Sequence, residues 1–172
     1  MLKTIIVYYS KTNSTKKIVD MMINHIQADI IRVEPTEEYP TGFFSTCFVG
    51  GKQKLFNEKP SLKTEIPDFS QYDTVLVGSP IWAWGLSVPM KTFLGQSDLS
   101  GKKIAVFSTS SGPQGSGPYK DVVKLLPNAE VLPDYLNIQS NKVDTSEEAV
   151  IQWLQNIGLL EQQKNETKED EL

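Results

Sequence analysis

Ser10, Thr12, Ser14 and Thr15 place four hydroxyls within six residues, directly after the apolar run 4–9 and directly before a helical pattern. A strand that stops at such a turn and then opens a helix leaves several backbone N–H groups aimed at one point. The positive end of the helix dipole stands behind them. That point suits a phosphate. Each hydroxyl can donate to a phosphate oxygen, and Asn13 tolerates the tight backbone of such a turn. The same residues also fit a capped helix with no ligand, so this stretch alone leaves both readings open.

Two further stretches have the composition of a site. Pro80-Ile81-Trp82-Ala83-Trp84-Gly85 follows a β-branched run and sets two indoles in a turn flanked by proline and glycine. Tryptophans there are poorly placed for core packing and well placed to contact a ligand. Thr109-Ser110-Ser111-Gly112, with Gly115 beyond, closes another apolar run and offers backbone edges. Other chemistries are excluded by count. Cys47 is the only cysteine and His25 the only histidine, so there is no internal disulfide and no structural zinc site built from those types. No arginine follows Cys47 where a cysteine phosphatase loop needs one, and His25 reads as a structural residue of a helix.

The elements that must position these residues fit one domain. At 172 residues the chain can bury a full core but not two ordinary ones. With 39% hydrophobic and 22% charged residues it is of globular composition. It contains no apolar run of about 18 residues and opens on strand-like sequence, so a soluble, cytoplasmic protein with no membrane association is expected. The net charge is −4, of which residues 161–172 carry −3, from five acids against two lysines. A body with about −1 lacks the basic stripe that nucleic acid requires.

The pattern predicts strands over 3–9, 29–34, 72–79, 102–109 and about 130–137. Helices are predicted over about 14–28, from near Ser87, over about 119–126 and from Ser146 to about Ile157. Thr145 and Glu148 are expected to form a capping box for the last helix, with Gly158 as its stop. Between Pro35 and Pro67 the pattern is weak. A helix within 43–57 is expected there, with Phe43, Phe44 and Phe48 as core or lid aromatics and Cys47 as a small buried residue. Strands alternating with helices give a single-domain, doubly wound α/β fold over residues 1–160, with a five-stranded parallel sheet in the order 2-1-3-4-5. The charged stretch 161–172 is expected to be a disordered tail. In that order the loops 10–15, 80–86 and 109–117 lie side by side at the carboxyl ends of strands, where such folds bind ligands.

Over residues 1–160 the chain resembles the flavodoxin family. Ser10, Thr12 and Thr15 match its Ser/Thr-x-Thr-Gly-x-Thr phosphate loop, with Asn13 standing where the family usually has glycine. The segment Pro80–Gly85, followed by Pro89, resembles the family's Pro-Ile-Trp variant of an aromatic loop that stacks on the flavin, and implies Trp82 as first choice for the stacking ring. The third loop matches in composition only. The resemblance implies FMN as cofactor, held by Ser10, Thr12, Asn13, Ser14, Thr15, the residues 80–85, Thr109, Ser110, Ser111, Gly112 and Gly115. It also implies electron transfer to and from redox partner proteins, a reductase and an acceptor, by a monomer or weak dimer. An FMN-dependent NAD(P)H:quinone or related oxidoreductase is the alternative. The nearly neutral body weakens the carrier reading, because family carriers are usually acidic. The absence of the arginine-containing loop common in reductases of this fold weakens the other. With no lysine or arginine in 79–86 or 108–117, the anionic reduced flavin should be disfavoured. Gly85 is expected to permit a peptide flip toward the flavin N5. A receiver domain would need acids after strand 1 and an aspartate ending strand 3, and a dinucleotide fold would need Gly-x-Gly-x-x-Gly opening the first helix. Neither is present.

Overall fold

The computed structural model describes residues 3–38 and 60–161. In chain order these form β1 (Thr4–Tyr8), α1 (Ser14–Ile23), β2 (Asp29–Arg32), β3 (Thr74–Trp82) and β4 (Gly85–Leu86). Then come α2 (Val88–Gln96), β5 (Lys103–Ser110), α3 (Gly117–Leu125), β6 (Glu130–Gln139), a 3-10 turn (Ser140–Thr145) and α4 (Glu147–Asn156). The sheet runs β2-β1-β3-β5-β6, all parallel, with β4 hydrogen-bonded antiparallel to β3. Counting only the parallel strands, this is the expected order 2-1-3-4-5.

Side chains alternate across the central strands and build two cores. Ile5, Val7, Val75, Val77, Ile104 and Val106 face α2, α3 and the segment that leads into β3. Ile6, Tyr8, Leu76, Ala105 and Phe107 face α1 and α4. Apolar residues on both faces give the unbroken runs seen in the sequence. Gly78 has a packing reason on the second face: a Cβ there would lie 2.3 Å from the Phe107 ring, which itself meets Trp153 edge-on.

Several expected boundaries move. Helix α1 stops at Ile23, not near residue 28, and the N–H groups of Asn24, His25 and Ile26 close its last carbonyls at Met21 and Met22. His25 thus lies in the turn after the helix, half-buried, with Nε2 3.1 Å from Glu147 Oε1. Thr145 does not cap α4. It ends the 3-10 turn, and its hydroxyl donates to Lys142 O, while Ser146 stands at the N-cap with its own hydroxyl donating to Val143 O. Both hydroxyls are drawn back to carbonyls of the preceding turn, which removes the expected capping box. Gly158 does stop α4, at φ 78°. Its N–H donates to Gln155 O and that of Leu159 to Leu154 O, the paired bonds of a Schellman motif.

Between β2 and β3, Pro35 pairs with Leu62, flanked by Thr36 N–H to Ser61 O and Lys63 N–H to Glu34 O. The helix expected within 43–57, Phe43, Phe44, Phe48 and Cys47 lie outside the described residues, as do 162–172 of the expected tail. Strand β6 bulges between the partners of Ile104 and Val106, passing from Val131 to Tyr135 while β5 advances two residues. An excess of two keeps every β6 side chain on its original face. Trp153 Nε1 donates to the bulge carbonyl of Asp134. Among the described residues no helix is long and apolar enough to cross a membrane.

Candidate functional site

The hydroxyls after β1 divide into two jobs. Ser10 and Thr15 are buried and hold the turn together. Ser10 Oγ accepts from Lys16 N–H at 3.2 Å, and Thr15 Oγ1 lies 2.8 Å from Thr109 Oγ1. Thr12 and Ser14 point outward, 3.4 Å apart, and are the hydroxyls available to a ligand. Asn13 adopts φ 64°, ψ 0°, the left-handed conformation that the glycine of the family pattern would take at lower cost. The first intrahelical bond is Lys17 N–H to Asn13 O, so the N–H groups of Ser14 and Thr15 have no protein acceptor among the described residues. This is a phosphate-type donor set at the N-terminus of a ten-residue helix.

Arg32 carries no local sequence signal that marks it as a member of this neighbourhood. It ends β2 opposite Tyr8, and its Nη2 donates to Ser10 O at 2.8 Å. The guanidinium therefore braces this turn and brings positive charge beside it. Tyr8 lies against it, its hydroxyl pKa raised, with burial as the main cause and Arg32 opposing. A cleft of about 210 Å³, bounded by Tyr9, Ser10, Lys11 and Arg32, opens on the β2 side of the turn.

The second stretch is a hairpin where a loop was expected. Strand β3 continues through Ser79, Pro80 and Ile81 to Trp82, turns at Ala83-Trp84, and returns with Trp82 opposite Gly85 and Ile81 opposite Leu86. Ala83 (φ 46°) and Trp84 (φ 70°) both occupy the left-handed region, which a two-residue hairpin demands and which normally selects asparagine or glycine. At the base, Ser79 Oγ accepts Ser87 N–H at 2.9 Å and lies 3.0 Å from Ser87 Oγ. The two indoles have opposite environments. Trp82 is 6% exposed and meets Tyr9 edge-on with ring centres 5.4 Å apart, whereas Trp84 is 67% exposed at the tip.

The third stretch is pinned by residues of β6. Ser108 Oγ lies 2.5 Å from Tyr135 Oη and donates to Asn137 Oδ1 at 3.0 Å. Asn137 Nδ2 then donates to Ser110 Oγ at 3.3 Å, and Ser110 donates to Gly112 O at 2.7 Å. Burial raises the Tyr135 pKa, so it stands here as a neutral hydroxyl. Thr109 and Ser110 are buried, while Ser111 and Gly115 are exposed. A Cβ on Gly112 or Gly115 would meet nothing within 4 Å, which leaves open space over this loop. Asn137 and Tyr135 are polar positions in a strand pattern, and only the register of the bulged β6 brings them here.

All three stretches thus lie at neighbouring carboxyl ends. The first contacts the third through Thr15 and Thr109 and the second through Tyr9 and Trp82. Among the described residues no cluster of acids, histidine and cysteine is arranged to hold a metal. Fold and rim together define a doubly wound α/β protein with a hydroxyl-rich helix start and an exposed indole along one ridge, at the carboxyl ends where such folds bind ligands. Residues 3–157 match the family model for flavodoxin, and the chain belongs to the flavodoxin family. FMN is the cofactor that this membership brings, and the outward hydroxyls, free N–H groups and exposed indole fit its phosphate and its ring.

Solved structures agree on the fold. A protein from Bacteroides uniformis described as a flavoprotein superposes with a TM-score of 0.74 at 21% identity, over 90% of this chain and 98% of its own. A flavoprotein from Lactobacillus acidophilus, solved in complex with FMN, gives 0.66 at 24% identity over 84% and 98%. A flavodoxin from the domain Archaea gives 0.56 at 16% identity over 91% and 99%. No curated protein matches the chain.

Proposed function

We propose that this chain is an FMN-binding electron-transfer protein that passes electrons between redox partner proteins. The observation that carries the reading is the open ridge. Trp84 stands 67% exposed at its tip, so a ring laid against it rests on an outer face. A cofactor ring on such a ledge keeps an edge toward solvent, where a partner can reach it.

FMN, when bound, supplies the electron-accepting chemistry. The chain supplies its grip. Thr12, Ser14 and the N–H groups of Ser14 and Thr15 take the phosphate, with the helix dipole and Arg32 adding positive potential. Trp84, rather than the buried Trp82 that the family pattern favours, offers its face to the ring. The residues 80–85 and the loop of Thr109, Ser110, Ser111, Gly112 and Gly115 line its edges. Gly85 has a role that its sequence context did not reveal: a Cβ there would lie 2.3 Å from Asp121 Oδ2, so its bareness serves packing.

Anaerobic addition of NADPH to the yellow protein tests the reading. The carrier stays yellow until a separate reductase is supplied. Rapid bleaching by NADPH alone replaces the carrier with an FMN-dependent oxidoreductase, the reading that the small net charge of the body favours. Protein that takes up no FMN removes both.

A further inference from the structure

The turn that carries Trp84 is gripped from outside by α3. Two successive non-glycine residues at positive φ are costly, and they persist only where their surroundings fix them. Gly117, the first residue of α3, lies flush against the turn, since a Cβ there would fall 1.5 Å from Trp84 O. One helical turn later, Asp121 Oδ2 accepts Leu86 N–H at 2.9 Å and lies against Gly85. The spacing of four puts both residues on one face of the helix. Lys91, from α2, holds the same carboxylate oxygen at 3.4 Å, with the two side chains 39% and 30% exposed. Ser79 and Ser87 fix the other end of the hairpin.

We propose that Gly117 and Asp121 are positioning residues for the cofactor site. They hold Ala83 and Trp84 in the left-handed form before any ligand arrives, so that the indole is presented without rearrangement and the ordering cost of binding is lowered. The proposal rests on the FMN reading above for its binding consequence, and on the apoprotein alone for its structural one.

Both are measured together: FMN affinity by quenching of its fluorescence, and amide hydrogen exchange at Leu86 in the apoprotein. Asp121→Ala is expected to weaken FMN binding about tenfold and to speed Leu86 exchange by at least about tenfold, the loss of one charge-assisted hydrogen bond. Asp121→Asn, whose amide oxygen still accepts, should recover affinity to within about threefold. In a Trp84→Ala background Asp121→Ala should add nothing further, because the clamp acts through that indole. If Asp121→Ala does not fold, Gly117→Ala, whose methyl must displace the Trp84 carbonyl, is measured in its place. Unchanged FMN affinity in Asp121→Ala, an equal further loss in the Trp84→Ala background, or no recovery in Asp121→Asn overturns the proposal. Should the wild type bind no FMN, the functional reading fails separately. Leu86 exchange then decides alone, acceleration upholding the clamp and an unchanged rate overturning it.

Discussion

Replacing Trp84 by alanine should separate cofactor binding from folding. The indole is 67% exposed, and a tryptophan presents up to about 250 Å², so about 170 Å² is open. A flat ring covering one face removes about half of that from water, which at about 25 cal/mol per Å² is worth about 2 kcal/mol. A stacked aromatic pair adds about 1 kcal/mol. The sum of about 3 kcal/mol corresponds to a loss of roughly a hundredfold in FMN affinity. Because so little of the side chain is buried, stability should change by no more than about 0.5 kcal/mol. Trp82→Ala is the opposite case: it empties a core position beside Tyr9 and should cost about 3–5 kcal/mol. Titration of apoprotein with FMN, with urea unfolding of the same samples, reads both quantities. FMN affinity within threefold of wild type in Trp84→Ala would refute the placement of the ring on this indole.

Asn13→Gly should preserve FMN binding and raise stability by about 0.5 kcal/mol, whereas Asn13→Val should cost about 1–2 kcal/mol at φ 64°, both by urea unfolding. Thr15→Val leaves the buried Thr109 hydroxyl without its partner and should destabilise by about 1–3 kcal/mol, with Thr15→Val plus Thr109→Val recovering part of the loss. Tyr72 donates to Asp29 at 2.6 Å, and that carboxylate, with some burial, pushes the phenol up to about 12. A raised folded value means that its contribution is complete below the free phenol range, about 10, and is lost as pH rises through about 12. Hydrogen bonds from Tyr72 and then Lys3 lower the Asp29 pKa, so its contribution is present above the ordinary carboxylate range and is lost as pH falls through the lowered value. The stability difference between wild type and Tyr72→Phe should therefore be level at neutral pH and shrink at both extremes. A difference independent of pH would contradict this.

The alternation of strands and helices was legible because each central strand is apolar on both faces, and the strand order followed. The turn at 10–15 was legible too, down to the left-handed asparagine, since hydroxyls and a helix start are local signals. The hairpin at 82–85 was hidden because Ala83-Trp84 carries none of the glycine or asparagine that marks such a turn. Its conformation is set by Gly117 and Asp121, more than thirty residues away. Arg32, Tyr135 and Asn137 were invisible for the same reason: only strand pairing, including the bulge in β6, brings them beside the rim. Thr145 misled because the hydroxyl-and-acid spacing of a capping box is satisfied equally by a residue that ends a 3-10 turn.

The bond between the hydroxyls of Thr15 and Thr109 joins points 94 residues apart in the chain. A nascent polypeptide has made the whole turn at 10–15 long before it has made the threonine that braces it. Its brace therefore arrives only when β5 docks beside β3, and until then a half-made molecule emerging from the ribosome has the turn without the contact that ties it to the rest of the rim.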